Sequence, residues 1–171
     1  MMKKRKSEIV LLLGYIFCMT SLPGQGQVSR EAVLAQVQSV DNYVRQTRGY
    51  LHEHPELSGQ EHATSRFLQE EVTKLGLPVT KVEGTGFYAV LDTRRPGKII
   101  GLRTDIDALP IAENPLNLNQ KKKWISKREG VSHACGHDGH MAILLGSVKI
   151  LNELKDRLTG KIVFIFEEGE E

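Results

Sequence analysis

The fold of this chain is decided by residues 133–166, which read HACGHDGHMAILLGSVKILNELKDRLTGKIVFIF. Apolar residues recur on one side from His140 to Leu158, which predicts a helix with Asp138 as its N-cap. The continuous apolar run Lys161–Phe166 is typical of a strand buried on both faces. A strand at Lys98–Thr104 precedes this helix, so the order predicts an α/β fold in which helices cover the faces of a largely parallel sheet.

Further elements are predicted on the N-terminal side of this unit. Apolar spacing and the stop signals Pro55 and Gly76 predict helices over Val28–His54 and Glu61–Leu75. Strands are predicted at Val79–Glu83 and Gly86–Thr93, and a long polar loop at 111–132.

Residues 1–26 are typical of a signal peptide rather than of folded structure. A basic start, Lys3–Lys6, precedes the apolar stretch Ile9–Met19, which is too short to span a bilayer. We therefore expect cleavage after Gly26, export to the periplasm or outside the cell, and no stable membrane association. An N-terminal membrane anchor is the alternative.

The composition excludes several classes of protein. The net charge of +2 offers no basic excess for nucleic acid, and 6% aromatic residues argue against a base-stacking surface. The expected mature chain keeps one cysteine, Cys135, so it cannot form an internal disulfide.

Asp105 and Asp107 follow the strand that ends at Thr104. Residues at positions i and i+2 of an extended segment point to the same side, so the two carboxylates could act together. A turn that uses aspartates for local hydrogen bonds would show the same pattern.

Cys135 and His137 share this i, i+2 spacing within HACGHDGH. A thiolate and an imidazole that face the same way suit Zn²⁺ or Mn²⁺, and the positive end of the following helix is expected to lower the thiol pKa. The alternatives are an inert buried cysteine beside surface histidines, or a redox-active thiol.

The acidic run Glu167-Glu168-Gly169-Glu170-Glu171 follows the apolar strand. Adjacent residues are expected to point to opposite sides, so one glutamate could bind a metal while its neighbour faces a water molecule. A frayed acidic tail is the alternative. Together, the three clusters indicate metal-assisted hydrolysis at the carboxyl ends of the strands.

Four motifs resemble the M20 family of metallopeptidases and amidohydrolases, in the branch of aminoacylases, hippurate hydrolases and auxin-conjugate hydrolases. They are Leu51–Leu57 with Glu61, Gly84-Thr85-Gly86, Arg103–Pro110 and His133–His140. The resemblance covers about residues 28–171, and it implies the N-terminal part of a zinc-peptidase-like catalytic domain, without the lid or dimerisation domain and the C-terminal half.

The resemblance implies a role for each site residue. Cys135, His137 and Glu171 would bind metal, and Glu170 would be the general base. Asp105, Asp107 and His140 would support the site. Glu167 and Glu168 stand where the family usually has Gln and Pro, and we expect them to add negative charge beside Glu170.

The implied activity is hydrolysis of the amide bond of N-acyl amino acids or small peptides, with two divalent ions, Zn²⁺ or Mn²⁺, in the complete enzyme. The resemblance also allows a homodimer of the full-length protein. Because further ligands are expected beyond Glu171, we expect the 171-residue chain alone to be inactive. An inactive truncated remnant and an exported thiol-redox protein are the alternative functions.

Overall fold

The computed structural model describes residues 28–171, so the predicted signal peptide (1–26) lies outside the described residues. The helices are α1 (Arg30–Glu53), α2 (His62–Lys74) and α3 (His137–Glu153). The strands are β1 (Val79–Lys81), β2 (Phe87–Asp92), β3 (Ile99–Asp105), β4 (Leu116–Asn117), β5 (Gln120–Lys121) and β6 (Lys161–Glu167). Within residues 28–171, no helix combines the length and apolar character needed to cross a bilayer.

The helix ends follow from local sequence. The Ser29 side chain accepts the N–H of Ala32 at 3.2 Å at the start of α1, and the helix ends before Pro55. Helix α3 begins after Gly136, whose φ of 99° lies in the left-handed region that favours glycine. The predicted N-cap, Asp138, is therefore wrong, because this residue lies inside the first turn and is buried there.

The main sheet has the strand order β1-β2-β6-β3. Strand β2 pairs antiparallel with both β1 and β6, whereas β3 and β6 are parallel. The predicted α/β class is confirmed, but the sheet is mostly antiparallel rather than largely parallel. The reason is that a short turn joins β1 and β2 as a hairpin, and β6 then inserts between β2 and β3.

The strand β6 is buried on one face only. Ile162, Phe164 and Phe166 are buried, while Val163 and Ile165 are half-buried. The prediction of a strand buried on both faces is therefore wrong, and within residues 28–171 the helices cover a single face. Residues from all three helices and from β2 and β6 form one core there. Its fully covered members include Leu51, Leu68, Val72, Phe87, Met141, Leu145 and Phe164.

The crossover from β3 through α3 to β6 positions the candidate site. In the parallel register Asp105 lies opposite Glu167, so both strands end at the same edge of the sheet. Helix α3 connects β3 to β6 in the chain and runs antiparallel to both strands. Its first residue, His137, therefore lies at that edge. The three clusters singled out in the sequence therefore meet at the carboxyl ends of β3 and β6.

The predicted loop 111–132 contains the small hairpin β4–β5. Glu113 anchors it by accepting hydrogen bonds from the Ser126 N–H at 2.6 Å and from Lys122 Nζ at 2.9 Å. His52, in α1, places its Nε2 2.8 Å from the same carboxylate, and this hydrogen bond holds the loop against α1.

Candidate metal centre

Two overlapping groups of metal-ligand atoms share His137. One ligand atom each from Cys135, His137 and Glu171 lies within 4.8 Å of the others, and the same holds for Asp105, His137 and Glu170. His137 Nε2 lies 3.8 Å from both Glu170 Oε2 and Glu171 Oε1. It lies 3.9 Å from Asp105 Oδ2. One imidazole nitrogen thus faces three carboxylates.

The other ring nitrogen of His137 is held by Asp107. Nδ1 lies 3.0 Å from the Asp107 carboxylate and 3.0 Å from its main-chain oxygen. With both of these acceptors in place, the proton belongs on Nδ1, so the lone pair of Nε2 points at the carboxylates. Histidines that bind metals in proteins are oriented in this way.

Asp107 also holds the main chain of Glu171. Its Oδ2 accepts the Glu171 N–H at 2.9 Å and the Ser58 hydroxyl at 2.5 Å. Burial raises the pKa of this carboxyl, but the hydrogen bonds from Ser58 and Glu171 outweigh burial and lower its pKa overall. A single ionised carboxylate therefore sets His137 and Glu171 relative to each other.

Cys135 presents an exposed thiol to this group. The Glu171 carboxylate, which accepts a hydrogen bond from the thiol, raises the pKa of Cys135, and the charges of Glu170 and Asp105 act in the same direction. The predicted lowering by the helix terminus is therefore wrong, since full negative charges nearby outweigh a partial positive one. A divalent cation among these groups would favour the thiolate.

Strand geometry predicts that Glu170 and Glu171 point to opposite sides. The structure shows that they do not. Strand β6 ends at Glu167, and Gly169 has a φ of 62°, so the alternation stops before these residues. Both carboxylates consequently approach the same nitrogen of His137.

Glu167 and Glu168 are engaged elsewhere. Glu167 pairs with Arg103. Glu168 accepts the Gly86 N–H at 2.7 Å and also bonds Thr85, and these hydrogen bonds, with that of the Thr85 hydroxyl largest, lower its pKa. The negative charge of Glu167 is thus compensated by Arg103, whereas Glu168 keeps its charge and is held by neutral donors from Thr85 and Gly86.

The remaining histidines of the segment 133–140 differ from His137. His140 is exposed, and its ring centre lies 6.1 Å from that of His137. His133 is buried, and burial lowers its pKa to about 4, so it is neutral.

Several contacts that hold this region were not predicted. Asp138 Oδ2 lies 2.9 Å from His52 Nδ1 and 3.1 Å from Arg48 Nε, which ties the start of α3 to α1. The Glu61 carboxylate accepts a hydrogen bond from the Gly169 N–H, and the Ser58 hydroxyl lies 3.1 Å from the main-chain oxygen of Glu171. Glu61 stands in a recognisable motif, but nothing in that motif indicates which distant main-chain groups its carboxylate meets.

Comparison with known proteins identifies the family. Residues 101–171 match the family model described as Peptidase family M20/M25/M40. The N-acyl-L-amino acid amidohydrolase of Geobacillus stearothermophilus is 40% identical over 145 residues, which make up 84% of this chain and 38% of that protein. Residues 101–171 thus belong to the M20 family. The resemblance inferred from the four motifs is confirmed.

Other M20 relatives agree in sequence and structure. The chain is 38% identical over 138 residues to an Arabidopsis thaliana protein named IAA-amino acid hydrolase ILR1-like 2, covering 80% of this chain and 30% of that protein. The Bacillus subtilis YXEP protein, described as a dinuclear metal-binding peptidase of the M20 family, superposes with a TM-score of 0.70 at 36% identity. That match covers 78% of this chain and 36% of YXEP, so the chain spans between 30% and 38% of the length of these three relatives.

Proposed function

We propose that this chain supplies part of the active site of a metal-dependent hydrolase that cleaves the amide bond of N-acyl amino acids or small peptides. The observation that carries the proposal is the convergence of Cys135, His137 and Glu171, whose ligand atoms lie within 4.8 Å of one another. Relatives that are named amidohydrolases, carboxypeptidases and deacetylases support the reaction class.

The donor chemistry fits a divalent cation. A thiol, an imidazole and carboxylates are the ligands that Zn²⁺ takes in proteins, and Mn²⁺ accepts the nitrogen and oxygen donors. The orientation of His137 by Asp107 supplies the supporting hydrogen bond that such sites need. The ligand group Cys135, His137 and Glu171 supports one bound ion, and the dinuclear relative supports a second. Asp105 would stand beside them.

Glu170 is the proposed general base. When bound, the divalent ions would lower the pKa of water and polarise the substrate carbonyl. The Glu170 side chain is 43% exposed, so its carboxylate can reach a water molecule at the edge of the site. It would take a proton from that water, whose oxygen attacks the amide carbon, and return the proton to the leaving amine.

The proposal extends to the cellular setting of the protein. Export rests on the basic and apolar segments of residues 1–26. The substrate class, N-acyl amino acids, rests on the names of the relatives, and a homodimer would be formed by the whole protein. The thiol-redox alternative is disfavoured because Glu171 raises the pKa of Cys135, which reduces its thiolate fraction.

Metal content and hydrolysis test this function in the whole protein that contains the chain. We expect Cys135→Ala and His137→Ala to lower the bound Zn²⁺ or Mn²⁺ and to abolish release of amino acid from N-acetyl and N-benzoyl substrates. His62→Ala is the matched control, because His62 is exposed at the start of α2. Full metal content and turnover in the Cys135 and His137 variants would contradict the proposal.

A further inference from the structure

Glu61 is a charged side chain with no exposed surface. It lies just before α2, outside the groups that could bind metal. One carboxylate oxygen, Oε1, accepts two main-chain hydrogen bonds, from the Gly59 N–H at 2.9 Å and from the Gly169 N–H at 3.0 Å. Burying a carboxylate costs free energy of folding unless it accepts hydrogen bonds such as these. We therefore asked what the buried Glu61 carboxylate contributes to the site.

The second oxygen of Glu61 meets the Thr85 hydroxyl. Thr85 Oγ1 lies 2.9 Å from Glu61 Oε2 and 2.8 Å from Glu168 Oε2. A hydroxyl carries one proton, so it can donate to only one of the two carboxylates at a time. Through Oε1, Glu61 therefore links the loop at Gly59 to the segment that begins at Gly169, and its Oε2 lies beside the Thr85 hydroxyl.

The segment held by Glu61 carries the proposed base and ligand. Gly169 directly precedes Glu170 and Glu171, and its φ of 62° sets the direction in which both continue. Asp107 accepts the Glu171 N–H at 2.9 Å. Two fully buried carboxylates thus hold the main chain on either side of Glu170.

We propose that Glu61 is a positioning residue, which fixes the main chain at Gly169 and so aims the carboxylates of Glu170 and Glu171 at His137. The inference rests on the proposed function, since the groups it positions are the base and a ligand of that site. It adds a role for a residue that touches neither substrate nor metal.

Two substitutions at Glu61 separate positioning from charge. Glu61→Ala removes both acceptors and leaves the Gly169 N–H without its partner. Glu61→Gln keeps one oxygen for the Gly59 and Gly169 N–H groups, and its amide can donate to Thr85 Oγ1 while the Thr85 hydroxyl donates to Glu168. We therefore expect the Gln variant to retain the geometry and the Ala variant to lose it.

The experiment measures Zn²⁺ affinity by competition with a chelator, together with kcat and KM, in the whole protein. We expect Glu61→Ala to weaken metal binding by about 10–100-fold, the range found for residues that orient metal ligands, and to lower kcat more than it raises KM. Glu61→Gln should bind metal as the wild type does. Val72→Ala, in the buried face of α2, is the control: it should lower Tm and leave metal affinity unchanged.

Three results would overturn the inference. The first is a Zn²⁺ affinity of Glu61→Ala equal to that of the wild type. The second is a Zn²⁺ affinity of Glu61→Gln as low as that of Glu61→Ala. The third is an equal loss of Zn²⁺ affinity in Val72→Ala when its Tm matches that of Glu61→Ala, which would indicate a merely structural role. Failure of the proposed function has a different signature, namely metal uptake by the wild type that His137→Ala does not reduce. That result would overturn the inference together with the function on which it rests.

Discussion

Asp107→Asn should weaken metal binding without unfolding the protein. Three donors converge on the Asp107 carboxylate: the Ser58 hydroxyl, the Glu171 N–H and His137 Nδ1. An Asn side chain offers one oxygen and one NH₂ group. If the oxygen keeps Ser58 and Glu171, the NH₂ group faces the protonated Nδ1 of His137, and that charge-assisted hydrogen bond is lost.

The expected magnitude follows from this single loss. A hydrogen bond to a charged group contributes about 1.5–3 kcal/mol, and each ~1.4 kcal/mol is a factor of ten in affinity. The main-chain oxygen of Asp107, 3.0 Å from Nδ1, still favours the same tautomer, so the imidazole keeps Nε2 available. We therefore expect Zn²⁺ affinity to fall by about 10–100-fold rather than to vanish.

The assay is a chelator competition titration of the metal-free whole protein, with circular dichroism as the test of folding. Asp92→Asn is the matched control. Asp92 ends β2 beside the start of β6, at the opposite edge of the sheet, where it pairs with Lys161 at 2.9 Å. A surface pair of this kind contributes only about 0–1 kcal/mol. If the two variants bind metal equally well, Asp107 does not set the ligand geometry and the reasoning is refuted.

Two pH-dependent effects and one packing effect are also expected. Glu171→Gln should lower the pH midpoint for alkylation of Cys135 by iodoacetamide in metal-free protein, because Glu171 raises the thiol pKa; an unchanged midpoint would contradict this. The hydrogen bond with Asp138 raises the pKa of His52 in the folded protein. The stabilisation from this pair is therefore fully present below the ordinary pKa of histidine, and it is lost as the pH rises through the raised pKa of His52. His52→Gln should therefore lower Tm more at about pH 5.5 than at about pH 9. Leu68→Ala, at a fully buried position, should cost about 2–5 kcal/mol in denaturant unfolding, and a loss below ~1 kcal/mol would show a looser core.

The positions of the main elements could be predicted from sequence because they depend on local periodicity and stop signals. Helix α1 ends before Pro55, and β6 coincides with the apolar run that starts at Lys161, as expected. The direction of the strands could not be predicted in the same way. Whether β6 pairs with β2, β3 or both depends on contacts between segments some 70 residues apart, and its apolar composition is compatible with burial on one face or two.

The sequence by itself indicated the family through its four motifs, and residue type and spacing singled out Cys135 and His137 as candidate ligands. The family resemblance implied the roles of Glu170 and Glu171. Only the tertiary structure decided how they meet: both Glu170 and Glu171 turn toward one nitrogen of His137, and nearby carboxylates raise rather than lower the pKa of Cys135. The sequence could not show how Glu170 and Glu171 are placed, because Glu61 and Asp107 hold this segment by accepting hydrogen bonds from main-chain N–H groups. Every residue other than proline carries such a group, so the sequence does not show which one a distant carboxylate will hold.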